Sequence, residues 1–171
     1  MKKYKILLID LDDTLTNTIS GNTFPKGVWD MKFDFEVLDK IKEYGFERIC
    51  IVTNQGGVEK GFVNRYNWIK KIDYICACIK EYTGIINCDY EVCVTNCKDC
   101  QHRKPNIGMF VDFLSKLTFL DGVINYFDET LMVGDASGLP GQFSDSDKKF
   151  AENARIDYMD VNDFKKLKIN S

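Results

Sequence analysis

Short runs of apolar residues alternate along the chain with longer stretches in which apolar residues recur every three or four positions. The short runs are rich in Ile, Val and Leu and end at polar residues or glycine, as buried parallel strands do. They cover residues 4–9, 48–52, 90–95, 130–133 and 156–159. The longer stretches predict helices over residues 37–41, 69–79 and 109–117 and around residues 150–154. Strands that alternate with helices predict an α/β fold with a central parallel sheet.

A turn signal follows the first predicted strand. Residues 15–25 read LTNTISGNTFP, in which Ser20, Gly21 and Asn22 supply turn chemistry between two short β-prone arms. We therefore expect a β-hairpin that overhangs the carboxyl end of the first strand.

Composition narrows the class of protein. The chain has 171 residues, 44% of them hydrophobic and 29% charged, and lacks a Gly/Ser-rich linker, so residues 1–171 are expected to form one folded domain. The apolar run at residues 6–9 is too short for an export or membrane segment, which predicts a cytoplasmic protein without membrane partners. A net charge of −3 provides no broad basic footprint, so any nucleic-acid contact must be local.

Three acids stand where the first strand ends, Asp10, Asp12 and Asp13. The carboxyl ends of parallel strands line the ligand crevice of open α/β sheets, and burying several acids there is costly without a cation. Mg²⁺ is the expected cation, because it prefers oxygen ligands and often retains a substrate phosphate. The alternative is an acidic loop that only caps a helix.

The string IDLDDTLT resembles the first motif of the haloacid dehalogenase superfamily, an apolar strand followed by Asp-x-Asp-x-Thr. The resemblance implies a three-layer Rossmann-like core and a phosphatase that works through an aspartyl-phosphate. It implies that Asp10 is the nucleophile and that Asp12 is the acid and base, while Asp13 and Thr14 are structural.

Three further strings fall in the order of that superfamily's motifs. Thr53 in IVTNQ resembles the second motif, whose hydroxyl and neighbouring amides hold phosphate oxygens, and Asn54 is expected to contribute to the same phosphate site. Lys104 in RKPNIGM resembles the third, a cation that offsets charge on phosphate and nucleophile. Asp135 in LMVGDASG resembles the fourth and would hold Mg²⁺ together with Asp10 and the backbone carbonyl of Asp12. The supporting second acid is either Asp145 or Asp147.

More specific strings resemble the phosphatase domain of polynucleotide kinase 3′-phosphatases. They are SGNTFP, TNQGGVEKG, RKPNIGM and the long stretch from GDASG to FSDSDKKFAEN, and together they cover most of the chain. The gaps between the motifs are too short for an inserted cap domain, so we expect a capless site open to a polymer end. The expected substrate is the 3′-phosphate of a DNA end.

The same resemblance suggests where nucleic acid would bind. Residues 17–24 of the hairpin, Trp29, Arg65, Trp68 and Arg103 could meet phosphates or stack on bases, although Trp68 is better explained as core packing on a helix. No P-loop sequence of a kinase is present, so 5′-kinase or ligase activity would come from a separate polypeptide.

A cysteine-rich segment precedes Lys104. Cys93, Cys97, Cys100 and His102 have spacing that could hold a structural Zn²⁺, with Cys88 as a substitute for Cys93. The ending CQHRKP resembles the zinc loop of capless phosphatases that act on heptose bisphosphate and histidinol phosphate. The alternative is a metal-free loop with reduced thiols.

The sequence thus leaves three functions open. The first is an Mg²⁺-dependent polynucleotide 3′-phosphatase that cleans strand-break ends. The second is a small-molecule phosphatase for histidinol phosphate or heptose bisphosphate, and the third is a non-catalytic module that binds phosphate. Retention of both Asp10 and Asp12 argues against the third.

Overall fold

The computed structural model describes residues 4–121 and 126–169. The strands are β1 (Ile6–Ile9), β2 (Thr16–Asn17), β3 (Lys32–Phe33), β4 (Arg48–Asn54), β5 (Asn87–Cys93), β6 (Thr130–Gly134) and β7 (Asp157–Asp160). The helices are α1 (Phe35–Tyr44), α2 (Gly56–Glu59), α3 (Arg65–Thr83), α4 (Gly108–Asp121), α5 (Ser146–Ala154) and α6 (Val161–Lys166). Over these two ranges, no helix has both the length and the apolar character needed to cross a membrane.

Five strands form one parallel sheet in the order β5-β4-β1-β6-β7, with β1 in the middle. Ile6 of β1 pairs with Arg48 of β4 on one side and with Thr130 of β6 on the other. All four residues of β1 are buried, because both faces of the sheet are covered. The predicted α/β fold is confirmed, and each of the five predicted strands lies in this sheet, although β5 begins and ends earlier than its apolar pattern indicated.

The two faces of the sheet carry separate cores. Leu7 and Ile9 point into the core shared with α1, α3 and α6. Ile6 and Leu8 point into the other core, which contains residues of α4 and α5. This period of two along a fully buried strand produces the three-layer arrangement of helix, sheet and helix.

The predicted hairpin exists, but its second arm is not where the turn signal placed it. Thr16 of β2 pairs with Phe33 of β3, so the hairpin spans residues 16–33 and Ser20, Gly21 and Asn22 lie inside a long connection. We call residues 16–33 the flap.

The buried carboxylate of Asp30 organises the flap. It accepts hydrogen bonds from the Ser20 hydroxyl at 2.6 Å, the Ser20 amide at 2.8 Å and the Lys26 amide at 2.8 Å. These donors, the Ser20 hydroxyl first, lower the pKa of Asp30 to about 2. The two-residue arms alone could not hold so long a connection in place, so the carboxylate replaces the missing ladder.

Candidate active site

The carboxyl end of the sheet gathers the residues that the motifs singled out. Asp10 follows β1, Thr53 lies near the end of β4 and Asp135 follows β6. The β1–β6 ladder extends one step beyond the strand, because the amide of Asp10 donates to the carbonyl of Val133 at 3.0 Å. Adjacent strands therefore fix Asp10 relative to Asp135 through the register of the sheet.

A buried lysine joins the cluster from the segment between β5 and α4. Lys104 Nζ lies 2.5 Å from Asp10 Oδ1 and donates to the carbonyl of Val52 at 2.8 Å. Burial raises the pKa of Asp10 well above its usual value; the Lys104 charge opposes this effect and the Asp147 charge adds to it. Burial also lowers the pKa of Lys104, but the charges of Asp10 and Asp147 outweigh that effect and the net pKa is raised. The lysine is thus a permanent cation beside Asp10.

Asp147, on the first turn of α5, completes the cluster. Its Oδ1 lies 2.7 Å from Lys104 Nζ, and its Oδ2 accepts a hydrogen bond from the Ala136 amide at 3.2 Å. Asp145, the alternative that the sequence left open, instead forms an exposed pair with Lys149 at 2.7 Å. The structure therefore places Asp147, and not Asp145, in the site.

A glycine makes room for this acid. A Cβ on Gly134, the last residue of β6, would lie 2.2 Å from Asp147 Oδ2, closer than any real contact. The segment between them is held by Gln142, whose Oε1 accepts from the Ser137 amide at 2.8 Å and whose Nε2 donates to Asp160 at 2.8 Å. The segment between Gly134 and Asp147 thus folds back on itself, so that the first turn of α5 lies beside the end of β6.

Asp135 faces the same cluster. Thr14 Oγ1 donates to Asp135 Oδ1 at 3.3 Å, which gives the predicted structural threonine a role in orienting an acid. Burial, followed by the negative charge of Asp147, raises the pKa of Asp135 to about 6. The acids of this cluster thus carry more negative charge than the single lysine can offset.

The donor set fits a hard divalent cation. Asp10, Asp135 and Asp147 each offer a carboxylate oxygen, and these oxygens lie within 4.8 Å of one another. Asp147 Oδ1 is buried and makes no hydrogen bond in proper geometry to any described residue, although Lys104 Nζ is close to it. A buried oxygen without a hydrogen bond, in a group of three acids, matches the oxygen coordination that Mg²⁺ prefers.

Asp12 lies apart from these three acids. It is exposed, and its Oδ2 accepts a hydrogen bond from Gln55 Nε2 at 2.7 Å. The same Gln55 nitrogen donates to the buried Thr53 hydroxyl at 2.8 Å. Gln55 therefore links two predicted site residues, and sequence reasoning missed it. Its place directly after Thr53 and Asn54 in IVTNQ was the only available signal.

The side chain of Asn54 contacts the Lys104 backbone, while its part in binding phosphate stays a prediction. Its side-chain Oδ1 accepts from the Lys104 amide at 3.0 Å, and its Nδ2 donates to the Lys104 carbonyl at 3.1 Å. The side chain thus fixes the Lys104 backbone against the end of β4, which makes it a positioning group for the lysine.

The predicted zinc ligands do not converge. Cys93 Sγ lies 3.7 Å from Cys100 Sγ, but Cys97 is exposed and His102 Nε2 pairs with Asp112 Oδ2 at 2.8 Å. Cys88 is not a substitute, since it is buried and its thiol hydrogen-bonds to Cys76. Across the described part of the chain, the only close group of three metal-ligating side chains is the acidic one. The structure does not support the zinc prediction.

Some of the residues predicted to contact nucleic acid support the fold instead, whereas others are exposed. Trp68 is 3% exposed and packs edge-on against Tyr90 at 5.9 Å, which confirms that it is a core residue. Arg103 donates to the Thr95 carbonyl at 2.8 Å and so supports its own segment. Trp29, in contrast, is 67% exposed on the flap, and Arg65 is exposed at the start of α3.

The family of the protein follows from its similarity to known sequences. Residues 5–164 match the family described as polynucleotide kinase 3 phosphatase. The chain belongs to this family. The predicted resemblance to polynucleotide kinase 3′-phosphatases is confirmed, and the protein is a phosphatase, a hydrolase that acts on phosphomonoesters.

Three known proteins are similar to most of this chain. The chain is 30% identical to an uncharacterized 20.8 kDa protein of the FGF-VUBI intergenic region of Autographa californica nuclear polyhedrosis virus, over 99% of this chain and 90% of the relative. It is 28% identical to a protein of Thermoplasma volcanium described as a D-glycero-D-manno-heptose-1,7-bisphosphate 7-phosphatase, over 82% and 91% of the two chains. It is 31% identical to the bifunctional polynucleotide phosphatase/kinase of Schizosaccharomyces pombe, over 92% of this chain but only 36% of that protein.

Solved structures share the fold. A protein of Mesorhizobium loti described as a HAD-like phosphatase superposes with a TM-score of 0.66 at 20% identity, over 91% of this chain and 71% of the other. The D,D-heptose 1,7-bisphosphate phosphatase of B. bronchiseptica, solved with magnesium and phosphate, gives a TM-score of 0.64 at 18% identity, over 90% and 78% of the two chains.

Proposed function

We propose that this family member is an Mg²⁺-dependent polynucleotide 3′-phosphatase that removes the phosphate from DNA ends by way of an aspartyl-phosphate on Asp10. The observation that carries the proposal is the buried group of Asp10, Lys104, Asp135 and Asp147 at the carboxyl end of the sheet. Because its three acids face one another around a single lysine, the group is built for a cation and a phosphate rather than for stability.

The first half of the reaction begins at Asp10. A carboxylate oxygen attacks phosphorus, and the bond between phosphorus and the 3′ oxygen of the sugar breaks. The leaving oxygen takes a proton from Asp12, which is exposed to the entering substrate and oriented by Gln55. The products of this half are the 3′-hydroxyl end and phosphorylated Asp10.

The second half regenerates the enzyme. Asp12, now ionised, accepts a proton from a water molecule as the water oxygen attacks phosphorus. The bond between phosphorus and the Asp10 oxygen breaks, so that inorganic phosphate leaves and the carboxylate returns. Asp12 gives one proton to the leaving 3′ oxygen and regains one from the attacking water, so water is the only co-reactant.

The remaining residues hold charge in place. Lys104 keeps its proton, as the raised pKa requires, and offsets negative charge on Asp10 and the phosphate. The Thr53 hydroxyl, oriented by Gln55 at 2.8 Å, is the phosphate donor from β4. Asp10, Asp135 and Asp147 would hold Mg²⁺, which supplies electrostatic stabilisation of the transferring phosphoryl group.

Two observations support a polynucleotide substrate. The family model spans nearly the whole chain, and the fission yeast relative is a polynucleotide phosphatase/kinase. Between β4 and β5 the chain forms only α2 and α3, so no separate cap covers this side of the site. A polymer end could therefore reach the exposed Asp12.

A small phosphate ester is the second candidate. It is favoured by the Thermoplasma volcanium relative, 91% of whose length this chain matches. In that case the flap would close over a compact substrate.

The deciding experiment measures phosphate release with Mg²⁺ from a 3′-phosphorylated oligonucleotide, from histidinol phosphate and from a heptose bisphosphate. We expect kcat/KM to be highest for the oligonucleotide, with no release by the Asp10→Asn variant. A higher kcat/KM for either small ester would reject the polynucleotide proposal and support the second candidate.

A further inference from the structure

A cavity of about 270 Å³ lies between the flap and the N-terminal end of α3. Its walls are residues 25–28 of the flap, residues 61–64 before α3, and three side-chain positions on one face of that helix, Asn67, Trp68 and Lys71. No acidic residue lines it, whereas Lys26 and Lys71 do. Both charged side chains of the lining are therefore cationic, and the nearby Asp30 carboxylate is hydrogen-bonded to the Lys26 amide at 2.8 Å.

Lys71 is the unusual member of this lining. Its side chain is only 6% exposed, and it makes no hydrogen bond or ion pair with the residues that the structure describes. Most of the residue is buried, and no described protein group compensates the charge of its ammonium. The amine is not fully sealed, and the cavity that it lines is where its charge could be compensated.

The helix adds to this charge. α3 has 19 residues, and its first turn borders the cavity, where unpaired amides and the helix dipole favour an anion. Asn64 caps the helix, since its side chain accepts from the Asn67 amide at 3.1 Å and its carbonyl accepts from the Trp68 amide at 2.9 Å. A buried lysine and a long helix N-terminus thus face the same small space.

Exposed aromatic rings surround the cavity. Phe24 of the flap contacts Phe62 with 5.0 Å between ring centroids, and these rings are 41% and 59% exposed. Trp29 is 67% and Tyr66 is 64% exposed nearby in the chain. Cations interleaved with exposed rings are typical of surfaces that bind single-stranded nucleic acid, where phosphates meet the charges and bases stack on the rings.

Backbone contacts connect the cavity to the catalytic edge. The amides of Phe62 and Val63 donate to the Gly57 carbonyl at 2.9 and 3.1 Å. Gly57 is two residues beyond Gln55, which contacts Asp12, so the Cα atoms of Gly57 and Gln55 are at most about 7.6 Å apart. A strand whose 3′ end lies at Asp10 could therefore extend into the cavity within a few nucleotides.

We propose that this cavity binds a backbone phosphate of the single-stranded polynucleotide whose 3′ end occupies the catalytic site, with Lys71 as the contacting cation. The proposal rests on the proposed function for the identity of the ligand. Lys71 would then be kept at a cost in stability, because the substrate and not the protein supplies its partner.

The test uses binding of a fluorescent single-stranded oligonucleotide with a 3′-hydroxyl end, measured by anisotropy at several salt concentrations. Lys71→Met keeps the apolar stem and removes the charge, so we expect about tenfold weaker binding. The slope of log K against log salt should fall in magnitude by about 0.7, the value for one phosphate contact on a single strand. Lys71→Arg should retain the slope.

Two controls exclude a merely structural effect. Lys42→Met removes an exposed lysine that lies 5.2 Å from the Tyr82 ring, away from the cavity, and should leave affinity and slope unchanged. Lys71→Met should keep the far-ultraviolet circular dichroism of the wild type and melt no lower than it, since the apolar stem is retained and a charge without a protein partner is removed.

The outcomes separate this inference from the proposed function. Hydrolysis of a 3′-phosphorylated oligonucleotide with unchanged binding by Lys71→Met would overturn the cavity and leave the function intact. Loss of binding and slope in that variant, from a protein that hydrolyses only small esters, would support the cavity and reject the function.

Discussion

Two segments at the carboxyl end of the sheet carry metal-ligating residue types, the acidic edge and the cysteine segment before Lys104, and only the first assembles a site. Asp10, Asp135 and Asp147 come from distant parts of the chain, yet their oxygens lie within 4.8 Å of one another. Cys97 and His102 are close in sequence to Cys100, but one is exposed and the other pairs with Asp112. Sheet register is therefore a better guide to convergence than closeness in sequence.

The acidic edge and the cysteine segment also differ in their electrostatics. Burial and the charges of neighbouring acids raise the pKa of Asp10 and of Asp135, in keeping with three acids grouped around a single lysine. In the cysteine segment, burial raises the pKa of the Cys93 thiol, whose sulfur lies 3.7 Å from the Cys100 sulfur. A cation would offset the excess negative charge of the acidic edge.

The most severe break of the acidic edge is Asp10→Asn. We expect kcat to fall by a factor on the order of 10⁴ to 10⁶, because the amide cannot act as the nucleophile. Far-ultraviolet circular dichroism should be unchanged, since Lys104 keeps Asp147 as a partner at 2.7 Å. Residual activity above about one hundredth of wild type, in protein that is free of host phosphatases, would remove Asp10 from the role of nucleophile.

A smaller break tests whether packing holds the acids together. Gly134→Ala places a methyl group 2.2 Å from Asp147 Oδ2, so the first turn of α5 must shift. We expect a loss of about 1–3 kcal/mol in the free energy of unfolding. Since a 1 Å misplacement can cost about a hundredfold, kcat should fall by about that factor. Urea denaturation and steady-state kinetics measure the two effects, and a variant with normal values of both would show that the close approach is not required.

Stabilisation by a bound metal should distinguish the acidic edge from the cysteine segment. At ten times its Kd, Mg²⁺ should stabilise the protein by about 1.4 kcal/mol and raise Tm by roughly 3–5 °C. The shift should disappear in an Asp135→Asn, Asp147→Asn double variant and persist in a Cys97→Ser, Cys100→Ser double variant. The reverse pattern, measured by differential scanning fluorimetry after chelator treatment, would make the cysteine segment the metal site.

The smallest effect is expected in the cysteine segment itself. Cys97 is exposed, and no hydrogen bond of its thiol is found within the part of the chain that the structure describes. Cys97→Ser should therefore change the free energy of unfolding by less than about 0.5 kcal/mol. Loss of a structural zinc ligand would instead cost several kcal/mol and reduce the zinc content of purified protein, so both measurements together would revive the zinc prediction.

Part of this site follows from local patterns. Asp10, Thr53, Lys104 and Asp135 stand in short strings beside strands whose apolar runs are unambiguous, so the topology alone brings them together. The five-stranded sheet was predictable for the same reason.

Other parts depend on contacts that no local pattern encodes. The choice between Asp145 and Asp147 depends on how Gln142 folds the preceding segment, and the second arm of the flap depends on the carboxylate of Asp30. Gln55 links Asp12 to Thr53 only because β1 and β4 are neighbours. Zinc was suggested by spacing, but spacing does not say where side chains point.

The two hydrogen bonds from Asn54 to the Lys104 backbone have an evolutionary consequence. They tie the position of the lysine to β4, fifty residues earlier, instead of to the segment that carries it. That segment is then free to gain or lose cysteines, and with them a metal, while the lysine remains at the nucleophile. Variation within residues 94–103 is thus separated from selection on phosphate chemistry, and positions 54 and 104 should show strong epistasis.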